Sequence, residues 1–200
     1  MHVELLTTPP ISGTVVERHF DVSARKNAWV RFEDDEGAVW VGVFGSSEPV
    51  PFCAVVPFAD DGGRTMLIIA GGQGYVVNAR SGSLIRRTPW DYAHAAATVP
   101  GRDFVLVADA TMIWAADRAQ DRAAWRLDRA LYDYDETAPA HRLALDGIIF
   151  DRVTPNELTG KVWEMNGWYA FRLGLPGLEF VRGELLAADR EVFWAVPPAG

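Results

Sequence analysis

Apolar and polar residues alternate with a period of two along most of the chain, the spacing of strands rather than of helices. Ala28-Trp29-Val30-Arg31-Phe32-Glu33 runs into the acidic turn Asp34-Asp35-Glu36-Gly37, and Ala38-Val39-Trp40-Val41-Gly42-Val43-Phe44 follows. Two β-rich runs around a Gly-terminated loop predict a hairpin. Thr65-Met66-Leu67-Ile68-Ile69-Ala70 leads through Gly71-Gly72-Gln73-Gly74 to Tyr75-Val76-Val77-Asn78. After Arg80-Ser81-Gly82 comes Ser83-Leu84-Ile85-Arg86-Arg87. Three strands joined by two tight turns predict a meander.

The meander recurs. Sliding Leu67 onto Val105, a shift of 38, brings apolar run onto apolar run and turn onto turn. A third copy begins at Lys161-Val162-Trp163-Glu164-Met165, and a shift of 94 lays Tyr75 on Tyr169 and Leu84 on Leu178. The copies span residues 65–87, 104–128 and 161–182. Strand, Gly turn, aromatic strand, Gly turn, strand is the pattern of a propeller blade. The segment Gly74-Tyr75-Val76-Val77-Asn78-Ala79-Arg80-Ser81-Gly82-Ser83-Leu84 resembles the inner half of a quinoprotein-type β-propeller blade. The C-terminal half, through Leu145-Asp146-Gly147-Ile148 and Phe171-Arg172-Leu173, resembles uncharacterised bacterial all-β proteins, a resemblance that implies no activity.

The expected fold is therefore all-β: antiparallel hairpins and meanders with blade-like repeats. A β-sandwich and a small or partial propeller both stay open, since blades take about 40 residues each. One stretch pulls against the reading. Asp117–Tyr132 is rich in Ala, Arg and Leu, which favour helix, whereas the shift-38 repeat makes Ala124-Trp125-Arg126-Leu127 a strand. The repeat is given the greater weight. Trp90–Ala97 reads as a single helical turn.

Composition adds limits. The 200 residues are 49% hydrophobic and 23% charged, the values of one globular domain covering 1–200. The single cysteine, Cys53, sits in an apolar run and cannot form an internal disulfide, which suits a reducing compartment. The N-terminus lacks the basic and apolar regions of a signal peptide, and no apolar run approaches about 18 residues. These features lead to an expected cytoplasmic location with no membrane association. The net charge of −8, from 19 basic and 27 acidic residues, argues against a duplex nucleic-acid binder.

Candidate chemistry is sparse. His2, His19, His94 and His141 show no pair at metal-ligating spacing, so no metal or cofactor is expected. No Gly-x-Ser-x-Gly elbow is present, and Gly71-Gly72-Gln73-Gly74 is a turn without the Lys-Ser/Thr of a phosphate loop. The aromatic residues stand out: 8 Trp, 5 Tyr and 10 Phe. Trp29, Trp40, Trp114 and Trp163 fall inside strand patterns and are assigned to the core. Trp90, Tyr92, Tyr132, Tyr134 and Trp168 fall in or beside turns and are read as exposed. With Asp133 and Asp135 they form the candidate partner-binding set. The expected function is a non-catalytic binding or protein-interaction domain, in one version an immunity- or inhibitor-like protein that engages a basic partner. The rival is a carbohydrate-active or other small-ligand enzyme with an aromatic platform and a carboxylate pair drawn from Asp133, Asp135, Asp146 and Glu164. Self-association of a partial propeller is a third reading.

Overall fold

The computed structural model describes residues 1–11, 13–21, 26–46, 50–59, 62–109, 112–126, 147–164 and 167–187. Among them lie sixteen strands and no helix, arranged as four four-stranded sheets. The first sheet holds β1 (His2–Leu6), β2 (Val16–His19), β3 (Lys26–Glu33) and β4 (Val39–Ser46). Its order is β1-β3-β4-β2, and β2 runs parallel to β4. The other three sheets are antiparallel meanders in chain order. The second is β5 (Ala54–Pro57), β6 (Thr65–Ala70), β7 (Gln73–Asn78) and β8 (Ser83–Arg87). The third is β9 (Ala95–Thr98), β10 (Val105–Ala108), β11 (Met112–Ala116) and β12 (Asp121–Arg126). The fourth is β13 (Ile148–Val153), β14 (Glu157–Glu164), β15 (Gly167–Gly174) and β16 (Glu179–Ala187).

The expected repeats are present as sheets. The shift of 38 carries β6, β7 and β8 onto β10, β11 and β12 within two residues at each end. In the β6–β7 hairpin Ala70 faces Gln73, which leaves Gly71-Gly72 as a two-residue loop. Both glycines have positive φ, 54° and 84°, the requirement of a type I′ turn. The shift of 94 holds through the β14–β15 hairpin and fails at the third strand. Tyr75 and Tyr169 occupy matching places, opposite Ile68 and Val162. Leu178 does not match Leu84: β15 is two residues longer than β7, so Leu178 falls in the turn before β16, at a φ of 56°.

The sheets stack face to face in series, and alternate residues of one strand serve different interfaces. Met66 and Ile68 of β6 pack with Tyr75, Val30, Phe32 and Phe44 between the first and second sheets. Their neighbours Leu67 and Ile69 turn the other way and meet Val105 and Val107 of β10. Leu106 and Ala108 of β10 join Leu158, Val162, Phe171 and Leu173 between the third and fourth sheets. A fully buried aliphatic or aromatic side chain stabilises by about 1.5–3 kcal/mol, so each interface rests on several such groups. Along one edge of the stack β1 packs on β5, β5 on β9 and β9 on β13. Among the described residues no comparable packing joins the fourth sheet to the first. Four sheets in series, rather than two facing sheets, favour the blade-like architecture over the sandwich.

Two local expectations need correction or completion. Trp90–Ala97 forms no helical turn. Ala93 donates its N–H to Gly72 O at 3.1 Å and His94 to Ala108 O at 2.9 Å, so the chain stays extended and enters β9, whose small Ala95–Thr98 residues lie at the edge where β5, β9 and β13 meet. Asp121–Arg126 is strand β12, as the repeat indicates. Asp117 turns the chain into it: its carboxylate accepts the N–H groups of Ala119 and Gln120 at 2.7 and 2.8 Å. Residues 127–132 lie outside the described part.

Candidate functional site

The aromatic set divides in the structure. Trp90 is only 4% exposed and belongs to the core between the second and third sheets. Its ring lies against Gly74, where a side chain would collide with it. Its indole N–H is buried without a hydrogen-bond partner. Trp168, 9% exposed, is the second residue of β15 and meets Trp163 edge-on at 5.5 Å. The expected exposure of Trp90 and Trp168 is thus overturned: a large apolar ring beside a turn gains more by folding back over the sheet end than by facing water. Tyr92 is 49% exposed. Tyr132, Asp133, Tyr134 and Asp135 lie outside the described residues, as does Asp146. Glu164 is the last residue of β14, opposite Gly167. Of the four tryptophans assigned to the core, Trp40 is buried and Trp29, Trp114 and Trp163 are half-buried.

His94 and Cys53 are tied into the scaffold. The His94 ring donates through Nε2 to Ile148 O at 2.9 Å, tying the third sheet to the fourth. His19 lies 3.3 Å from Glu17 on an exposed strand. Cys53 is half-buried and its Sγ accepts the Gly71 N–H at 3.5 Å. Among the described residues no group of three His, Cys, Asp or Glu side chains is placed to hold a metal ion, and no helix is long and apolar enough to cross a membrane.

A recess lies elsewhere, at the end of the sheets away from Tyr92, where the β3–β4 turn and β2 meet the β7–β8 turn. Its volume is about 190 Å³, and Val16, Arg18, Asp34, Ala38, Val39, Trp40, Ala79 and Arg80 line it. Drug-sized ligand pockets run to roughly 300–1,000 Å³, so this cleft takes one chemical group rather than a whole cofactor.

The cleft is assembled from three separate segments. Trp40, the second residue of β4, is fixed twice: its indole N–H donates to Ala79 O at 3.0 Å, and its ring stacks on Phe32 at 3.9 Å with planes 3° apart. The Arg18 guanidinium lies over the same indole, 5.1 Å from its centroid, a cation–π contact. Arg18 also donates to the carbonyl of Ser81. Gly82, at a φ of 64°, lets that turn approach, since a side chain there would strike the Arg18 guanidinium. Arg18 is half-buried and Arg80 exposed. Among the described residues neither guanidinium has a carboxylate within ion-pair distance. The one acidic lining residue, Asp34, is engaged by its own turn: Oδ1 accepts the N–H groups of Glu36 and Ala38 at 2.9 and 2.8 Å. Just outside, Asp35 pairs with the N-terminal ammonium at 2.5 Å. The hydrogen bond and charge of that ammonium, with a smaller contribution from Arg80, hold the Asp35 carboxyl below its ordinary value. The lining side chains carry two positive charges and one negative, a local excess of +1 on a chain of net charge −8.

Sequence reasoning assigned Trp40 to the core and gave Arg18 and Arg80 no role. No local signal marks them, because residues 16–18, 34–40 and 79–80 meet only in the folded stack.

No family model matches the chain, and no curated protein matches it. Among solved structures it is similar to the one titled "Dihydro-heme d1 dehydrogenase NirN in complex with DHE", at a TM-score of 0.50 and 17% identity. The match covers 81% of this chain and 35% of that one, so the chain spans about a third of the length of its neighbour. The neighbour has a β-propeller-like fold, and the likeness is one of fold: this chain is all-β, four small sheets that resemble part of such a protein.

Proposed function

We propose that this chain is a non-catalytic binding module of propeller type and that the cleft between its first and second sheets is the contact point. One observation carries the reading: two arginines with no carboxylate in ion-pair distance among the described residues line one cleft with a tryptophan that is already fixed in place. Arg and Trp dominate the energetics of binding hot spots. Stacking on Trp40 and the bond to Ser81 hold Arg18 in advance, which lowers the ordering cost of binding.

The test is a fragment screen by ¹H–¹⁵N correlation spectroscopy on the intact chain, with hits of every charge type. Hits are expected to cluster on the amides of residues 16–18, 38–40 and 79–82. Filling the recess with Ala38→Trp, at an exposed turn position, is expected to abolish those shifts without altering the rest of the spectrum. Hits scattered over other surfaces, or shifts at the cleft that survive Ala38→Trp, would sink the reading.

A further inference from the structure

We infer that the group the cleft takes is an oxyanion, a carboxylate or phosphate carried on an apolar body. The inference rests on the binding role proposed above and adds the chemistry of the ligand.

Three features point to it. The first is charge. Arg18 and Arg80 line a single recess of about 190 Å³, and Asp34 is held by two backbone N–H groups of its own turn. A cation entering there meets two guanidinium groups and one engaged carboxylate. The second is donor geometry. A guanidinium offers five N–H donors in a planar fork, and Arg18 spends one nitrogen on Ser81 O. The remaining donors match the two oxygens of a carboxylate or phosphate. The third is the apolar lip. Val16 is 61% exposed at the cleft, beside Val39 and Ala38, so the part of the ligand next to the anion meets hydrocarbon. A neutral sugar fits less well: Trp40 is buried, its N–H is committed to Ala79 O, and Arg18 covers its ring. No open aromatic platform is left for sugar stacking.

The probes are phenyl phosphate, benzoate, inorganic phosphate and, as the opposite charge, benzyltrimethylammonium, titrated into the isotope-labelled chain. Phenyl phosphate and benzoate are expected to shift amides 16–18, 38–40 and 79–82 saturably, inorganic phosphate the same set more weakly, and the cation none of them. A tighter response to phenyl phosphate assigns the phosphate form; a tighter response to benzoate assigns the carboxylate. Arg80→Gln is expected to weaken phenyl phosphate about tenfold or more, the loss of one charge-assisted contact. Arg18→Gln is expected to weaken it further, with its folding checked by spectral dispersion. Arg80 is exposed, so its variant keeps the test decisive if Arg18→Gln does not fold. Unchanged phenyl phosphate affinity in Arg80→Gln, or an equal response to the cation, overturns the proposal. Neutral or cationic fragments filling the cleft while these anions do not would end the oxyanion assignment and leave the binding role standing. No fragment of any charge in the cleft would end both.

Discussion

Tyr75 joins the interior of the stack to its edge. It is fully buried between the first and second sheets, packs against Phe44 at 5.4 Å, and donates its hydroxyl to Gly45 O. Burial pushes its phenol above the ordinary value; the Arg87 guanidinium, 5.4 Å from the ring centroid, pulls it back in part, and Asp21 adds a small upward push. The folded chain therefore holds this proton more tightly than the unfolded chain does. The stabilisation is complete below the unfolded value near 10 and is lost as pH rises through the folded one. Urea midpoints measured from pH 8 to 11.5 are expected to fall at the alkaline end in the native chain and to fall less in Tyr75→Phe. The variant starts about 1 kcal/mol less stable at neutral pH, because it loses a buried hydrogen bond. Parallel curves for the two proteins would remove Tyr75 as the cause. At this scale Tyr75 was legible as the aromatic member of the middle strand. Trp90 was not: a place beside a turn does not fix exposure, and only the missing side chain at Gly74 reveals the slot that takes its ring.

Between elements, an arginine on the outer strand of one sheet reaches into the outer turn of the next. Arg18 of β2 does so at Ser81, and Arg86 of β8 does so more completely. Its guanidinium bonds Asp121 at 2.5 and 3.1 Å and the carbonyls of Asp117, Gln120 and Arg118 at 2.5, 3.0 and 3.2 Å. The Asp121 side chain is almost wholly buried. Removing one partner of such a pair leaves a buried charge uncompensated, at a cost of about 3–5 kcal/mol. Asp121→Ala is expected to lower Tm by roughly 10 °C at this chain length. A loss below about 1 kcal/mol by urea denaturation would show the pair to be solvated and weak. The same scale explains what the sequence hid. Three strands of each meander were legible because their turns carry recognisable chemistry: Gly71-Gly72, the Asp117 turn, and Asn78 accepting the N–H groups of Arg80 and Ser81. The edge strands β5 and β9 were not, since Ala-Val-Val-Pro and Ala-Ala-Ala-Thr are short and show no alternation. The parallel pairing of β2 with β4 joins Val16 to Trp40, a partnership that no turn announces. The cleft is built on that pairing, so it was hidden for the same reason.

For the whole molecule, the serial stack explains why apolar runs differ along the chain. A sheet with neighbours on both faces needs apolar residues at consecutive positions, and β6 (Thr-Met-Leu-Ile-Ile-Ala) and β10 (Val-Leu-Val-Ala) are buried throughout. The fourth sheet, packed on one side by the third, shows them only at alternate positions. In the fourth sheet Leu158 and Val162 face the third sheet, while Thr159 and Lys161 between them are only partly covered. Phe171 and Leu173 are buried on either side of exposed Arg172. Where each sheet contacts only those beside it, stability is close to a sum of sheet and interface contributions, as in repeat proteins. Native-state hydrogen exchange should then be graded. Amides of β6, β7, β10 and β11, each held between two interfaces, are expected to exchange only through global unfolding. Those of β15 and β16, with one interface, are expected to open at a lower free energy. Asp121→Ala is expected to narrow this gap, because it loosens the link between the second and third sheets and leaves the interface of the fourth sheet as it was. Equal protection in β6 and β15 would mean that the fourth sheet is held as tightly as the inner two, and the serial account of the stack would fail.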